Sequence, residues 1–179
     1  MSYGQSPLYD YTKIIATQNF AFGQTKTLAM TGVYEDQTSQ STTRADAQVF
    51  DIIANFQMET ANDALWTWSI TARKNASQLV TDTFYDTGLQ ASYSPPWHII
   101  HVKPTFSAGI GYKSYDDFIL SLDGRRDRYS WAGLGMVFDK VSAFGFSPEV
   151  QLTHKRTRSN VARYDTSELK IAVGVKSQF

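Results

Sequence analysis

The chain contains no cysteine among its 179 residues. Disulfides, thiolate metal sites and cysteine nucleophiles are therefore excluded, although no compartment is fixed by that alone. Charge of either sign is also not in excess: 17 Lys and Arg stand against 17 Asp and Glu. This argues against nucleic acid as a partner, since such binders carry a basic surplus. Charge of any kind is scarce, at 19%, where an ordinary soluble domain has about a quarter. No apolar run approaches the roughly 18 residues of a membrane helix. No segment carries a convincing helical period either. The opening residues MSYGQSPLYDY lack the basic segment and apolar stretch of a secretory leader, so an exported protein would be read here in its mature form. Also missing are a phosphate loop, a GxSxG turn and metal-ligand spacing. His98 and His101 differ in parity, so on one strand they face opposite sides and cannot share a metal. His154 stands near Ser159 and Asp165, but nothing sets nucleophile, base and orienter together. The chain is accordingly read as non-enzymatic, with no cofactor and no metal.

What is present is alternation. Aromatics make up 14% of the chain and hydrophobic residues 42%, yet mean hydropathy is only −0.33. A barrel with lipid outside and water inside has this profile, because half of each strand is polar. Roughly nine alternating segments are predicted: Tyr9–Phe22, Thr27–Glu35, Ala47–Met58, Leu65–Lys74, Thr81–Tyr93, His98–Tyr112, Arg128–Phe138, Phe144–Lys155 and Arg163–Phe179. The last is the clearest. Leu169, Ile171, Val173, Val175 and Phe179 occupy one register and Glu168, Lys170, Ala172, Gly174 and Lys176 the other. Short turns near 23, 61, 95 and 140 alternate with longer, more polar loops at 36–44, 75–80, 113–127 and 156–163. Such asymmetry suits an outer-membrane barrel with the C-terminus on the short-turn, periplasmic side.

The fold expected is all-β: one domain, 1–179, forming an antiparallel transmembrane β-barrel of roughly 8–10 strands or the C-terminal part of a larger one. An odd strand count conflicts with the even numbers of single-chain bacterial barrels. Closure would require Arg163–Phe179 to pair with Tyr9–Phe22; otherwise that edge needs another chain. Pro104, lacking a donor, should sit at a bulge or an unpaired position. A soluble ligand-carrying barrel keeps the same strands with the faces inverted.

Three sets of candidate residues follow. Arg125, Arg126, Arg128, Lys155, Arg156 and Arg158 are placed at the external rim, in the external loops or, for Arg128 and Lys155, at the strand ends that meet them, where they could contact a partner or lipid phosphate; solvated loop charge is the plainer reading. Asp51, Arg73, Lys103, Glu149, Glu168, Lys170 and Lys176 share the proposed lumen register. They could select ions, or form cross-strand salt bridges filling a narrow interior, which is the preferred reading. Trp66, Trp68, Trp97, Tyr93, Tyr112, Phe138, Phe144 and Phe179 fall near strand ends, as aromatic girdles do. Phe179, as the terminal aromatic, is also the candidate signal for barrel-insertion machinery.

Four stretches carry a resemblance. Gly124-Arg125-Arg126-Asp127-Arg128-Tyr129, Phe144-Gly145-Phe146-Ser147-Pro148-Glu149-Val150, Arg156-Thr157-Arg158-Ser159-Asn160 and Tyr164-Asp165-Thr166 resemble the C-terminal barrel region of the surface lipoprotein assembly modifier family. The likeness covers about residues 98–179 and weakens upstream. It implies a Gram-negative outer-membrane protein that moves lipoproteins or other clients to the cell surface. Its implied partners are outer-membrane lipid, the insertion machinery, and a client lipoprotein or a second barrel chain. Family members also carry an N-terminal domain of helical tetratricopeptide repeats and a barrel of about fourteen strands. This chain supplies neither, so a truncated, split or hetero-oligomeric form is implied. The alternative function is a small porin-like channel or a structural barrel.

Overall fold

The computed structural model describes residues 9–39, 46–138, 141 and 145–177. They form one nine-stranded antiparallel sheet, in which each strand pairs with its neighbours in sequence. The strands are β1 Tyr9–Phe22, β2 Lys26–Ser39, β3 Ala47–Glu59, β4 Leu65–Ser77, β5 Phe84–Ser94, β6 Val102–Tyr115, β7 Arg125–Phe138, β8 Phe146–Ser159 and β9 Thr166–Ser177. The expected all-β, antiparallel organisation and strand count are observed. The interstrand registers keep the predicted apolar residues of β1 to β9 on one face.

The strand ends differ from expectation. β2, β4, β7 and β8 all run further toward the loop end of the sheet than predicted. Residues there are polar on both faces, so the alternation fades while the hydrogen-bonded ladder continues. The loop contrast shrinks as a result. Connections at the turn end cover 23–25, 60–64, 95–101 and 139–145; those at the loop end cover 40–46, 78–83, 116–124 and 160–165. At the other extreme, His98–His101 lies outside β6. Ile99 and Val102 bond to each other across a two-residue turn, with Ile100 at φ 48° and His101 at φ 70°. Both central residues of a type I′ turn need such angles, which Asn-Gly normally supplies. Thr81 and Asp82 belong to a 3₁₀ turn, Val80–Asp82, and Arg163 to another, Ala162–Tyr164. Pro104 pairs in register with Met136 without a bulge, and it lies beyond Tyr93–Phe106, the last pair between β5 and β6.

β1 and β9 form the two edges, and neither pairs with the other among the described residues. Both edge strands run from the loop end to the turn end. A direct β1–β9 closure would therefore be parallel, against the antiparallel pattern of every other pair.

The two faces are exposed in an unusual order. In the loop-end half of β3 and of β5 to β8, the residues of the polar face are the sheltered ones; on β4, Thr71 and Arg73 are exposed together with Ile70 and Ala72. Thr105, Ser107, Gly109 and Gly111 of β6 are part-buried or buried, and Phe106, Ala108, Ile110 and Tyr112 between them are exposed. On β7, Asp127 is 3% exposed while Arg128, Ser130 and Ala132 are open. A sheet shelters one face by curling toward it, so the polar face is the concave one. In this half the apolar face is convex and bare: Ile52, Ile70 and Ile110 are each about 60% exposed. Ala64 is the only buried hydrophobic residue among those described. Accessible surface totals 12593 Å², whereas a compact soluble chain of 20.2 kDa exposes about 8,800 Å². Among the described residues no hydrophobic core stabilises this sheet from within.

Toward the turn end the apolar face carries an aromatic cluster. Trp66 and Trp68 stack at 5.6 Å, Trp66 lies 4.4 Å from Tyr93, and Phe56 lies 5.7 Å from Trp68. Such pairs add roughly 0.5–1.5 kcal/mol each beyond the area they cover. Tyr112 sits near the opposite, loop end. Phe144 and Phe179 lie outside the described residues.

Candidate functional site

Three of the four motif stretches meet at the loop end of the sheet. The connection between β6 and β7 closes at Gly124, whose φ is +73°. A Cβ there would overlap the Tyr115 carbonyl and approach the Asp116 oxygen to 2.7 Å, so glycine is required twice over. Asn160, just past β8, grips this turn. Its backbone N–H donates to the Arg126 carbonyl at 3.1 Å. Its side-chain Nδ2 donates to the Gly124 carbonyl at 3.0 Å, and its Oδ1 accepts from the Arg126 N–H at 2.7 Å. Asp165 accepts from the Ser159 N–H at 2.6 Å and so fixes the turn into β9. The motif residues 124–128, 156–160 and 164–166 are the parts of one joint.

Arg125 stands at the centre of that joint. It makes a bidentate pair with Asp127, Nε to Oδ1 at 2.9 Å and Nη2 to Oδ2 at 2.5 Å. Its guanidinium lies 3.5 Å from the ring centre of Tyr164, with Tyr115 and Phe118 at 4.9 and 5.4 Å. Burying a carboxylate such as Asp127 requires this kind of paired, hydrogen-bonded partner. Phe118 bonds back to Ser121 through a two-residue turn, which leaves Ile119 and Leu122 fully open above the joint.

Below the joint, on the same polar face, Tyr129 reaches across β6 to Asp86 on β5, with a hydrogen bond of 2.7 Å. Gly111 makes this possible. It sits opposite Tyr129 in the register, and a Cβ on it would overlap the phenol ring. Trp131 covers Gly109 in the same way, with Nε1 2.5 Å from a Cβ placed there. Lys155 lies 4.7 Å from the Tyr129 ring centre, and Lys113 lies 3.5 Å from that of Phe84. These groups line a vestibule of about 560 Å³ that also takes in Glu168 and Thr157. It has charge of both signs and aromatic walls, which suits binding or selection of polar solutes.

The six basic candidates divide between the two faces. All six lie on strands: Arg128 and Lys155 within the predicted ones, and Arg125, Arg126, Arg156 and Arg158 on strand rather than in loops, because β7 begins at Arg125 and β8 runs to Ser159. Arg125 and Lys155 are on the polar face, part of the vestibule. Arg126, Arg128, Arg156 and Arg158 are on the apolar face, where Arg128 stands opposite Arg158. The seven candidates for a lumen do share the polar face. Arg73 makes a bidentate pair with Asp51 at 2.6 and 2.7 Å. Glu168 pairs with Lys170 at 3.5 Å in the open, a contact worth little. Lys103, Glu149 and Lys176 lie toward the turn end, opposite Val137, Gly174 and Ser147 in the registers. Phe179 is outside the described residues. Asn160 and Tyr164 were within reach of sequence reasoning, as members of quoted motifs. The Asp86–Tyr129 bond spans 43 positions and leaves no local signal.

Comparison with known proteins gave no match: no protein-family model, no curated protein and no solved structure is similar to this chain.

Proposed function

We propose that this chain is part of a non-enzymatic outer-membrane β-barrel that acts in the translocation or surface display of client proteins. The observation that carries the membrane reading is the inverted exposure of the sheet. Apolar side chains on a bare convex face and polar ones on a sheltered concave face are costly in water. They suit lipid outside and water inside. A soluble carrier needs the opposite arrangement, with an apolar concave wall. The turn-end cluster of Trp66, Trp68 and Tyr93 fits an interfacial girdle. The family reading, that of the surface lipoprotein assembly modifiers, is supported by the way three motifs build one joint (residues scattered by chance have no reason to interlock). The open edges fit the C-terminal part of a larger barrel, because an all-antiparallel closure of β1 to β9 takes an odd number of further strands, from this polypeptide or another.

Two measurements test this. The protein should require detergent, and its folded form should migrate differently on gels before and after boiling; full solubility in plain buffer sinks the membrane reading. A client lipoprotein should reach the cell surface only when the barrel containing this chain is present. The second reading is a channel. It is favoured by the charged vestibule on the concave face, and it predicts steady ion conductance in a planar bilayer.

A further inference from the structure

Charge on the apolar face is distributed by a strict rule. Across β4 to β9 that register contains no acidic residue. The acids of these strands, Asp86, Asp127, Glu149 and Glu168, are all on the polar face. The cations on the apolar face of these strands are Lys74, Arg126, Arg128, Arg156 and Arg158, and each of them is in the loop-end half. No ion pair joins any of the four arginines to a carboxylate among the described residues. Arg128 stands directly opposite Arg158, and Arg156 follows two positions along the same strand. Like charges placed opposite one another destabilise a sheet unless something neutralises them.

An apolar groove adjoins this cluster. The register sets Ile70, Leu89 and Ile110 side by side across β4, β5 and β6, and continues through Ser130 to Arg156. The next row ends in Tyr112, Arg128 and Arg158. Together they line a groove of about 820 Å³. Apolar floor and cationic rim thus lie side by side, as required by a molecule with an acyl chain at one end and a phosphate at the other. Guanidinium groups bind phosphate oxygens in bidentate fashion, and they tolerate partial burial better than ammonium groups.

We infer that Arg128, Arg156 and Arg158 bind a membrane lipid with a phosphorylated headgroup, whose acyl chain lies along Ile70, Leu89 and Ile110. This rests on the reading of the apolar face as lipid-facing. The test uses the folded protein in neutral detergent micelles and native mass spectrometry. The probes are a bis-phosphorylated lipid A, the same lipid without phosphates, and inorganic phosphate. Wild type should retain the phosphorylated lipid at least tenfold more tightly than R128Q/R156Q/R158Q. It should lose that advantage for the dephosphorylated lipid. Lys26→Gln, a cation removed from the same face at the opposite rim, should stay within twofold of wild type. Equal retention by wild type and the triple variant overturns the inference. Displacement of the lipid by equimolar inorganic phosphate also overturns it, since the site then takes free phosphate. Should the triple variant lose its heat-modifiable band, the single variant Arg158→Gln decides by the same comparison, with at least a threefold loss expected. Failure of the membrane reading looks different: the wild-type protein is then soluble without detergent and shows no heat-modifiable band at all.

Discussion

The contact between Gly111 and Tyr129 gives the sharpest test of the sheet's packing. Replacing Gly111 with alanine adds one methyl group on the polar face. That methyl would overlap the Tyr129 side chain, whose Cζ, hydroxyl oxygen and Cε2 are its three nearest neighbours. The ring must move, and the 2.7 Å bond to Asp86 is lost with it. Overpacking of this kind costs roughly 1–3 kcal/mol. A hydrogen bond to a charged acceptor contributes about 1.5–3 kcal/mol. The low end applies to the bond, because Asp86 keeps Arg73 and Lys113 as register neighbours on the same face. Gly111→Ala should therefore destabilise by about 3–4 kcal/mol. The decisive comparison is a double-mutant cycle. In a Tyr129→Ala background the ring is absent, and with it all three of the closest contacts of the added methyl. Gly111→Ala should then cost under about 0.5 kcal/mol, because alanine is no worse than glycine in a strand. The coupling, the difference between those two costs, should be about 3 kcal/mol, the top of the range for residues in contact. Urea midpoints of the heat-modifiable band in detergent would measure it. A cost for Gly111→Ala that is the same in both backgrounds would refute the placement of Tyr129 over β6.

Other outcomes follow from the joint and the ion pairs. Asn160→Ala removes the side-chain bonds to Gly124 and Arg126; it should cost about 1–2 kcal/mol and make the 116–124 connection the first site cut by protease. Asp127→Ala strands Arg125 against its aromatic neighbours and should cost about 3–5 kcal/mol as a broken buried pair, read as loss of the folded gel band. Arg73→Gln should cost no more than about 1 kcal/mol, because Arg73 is 53% exposed, and that difference should shrink in high salt. If the concave face lines a conducting path, Lys113→Glu in the vestibule should shift ion selectivity toward cations, measured as reversal potential in a salt gradient.

The strand pattern was readable because face polarity alternates wherever the two faces meet different environments. β1 begins and ends where the alternation does, and β3 and β4 begin where it does. The reading stopped early at Lys74, Lys155 and Glu35 for a physical reason. Beyond these residues both faces are polar, so composition carries no period although pairing continues to Ser77, Ser159 and Ser39. The same fading of the period makes Arg125, Arg126, Arg156 and Arg158 read as loop residues although they lie on β7 and β8. His98–His101 misled in the other direction, since its tight turn is built without the glycine or asparagine that normally marks one. The joint at the loop end was half visible: its motifs could be quoted, but their interlocking depends on pairings across 34 and 36 positions. Nothing local signals such distances.

The edges carry the last consequence. Every side chain of β9 from Thr166 to Ser177 is exposed, and β1 from Tyr11 to Phe22 is exposed as well. Such edges offer rows of backbone N–H and C=O groups to a further strand, and in a bilayer no water would satisfy them on the lipid side. Both edges run in one direction. A second copy inserted with the same orientation would meet β9 with β1 in parallel, just as self-closure would. One further strand, or any odd number, restores antiparallel pairing at both seams and makes the total even, as bacterial single-chain barrels have it. A cysteine pair at Leu169 of β9 and Ile14 of β1 therefore distinguishes the cases. Rapid disulfide formation within one chain would mean direct parallel closure and would refute an intervening strand.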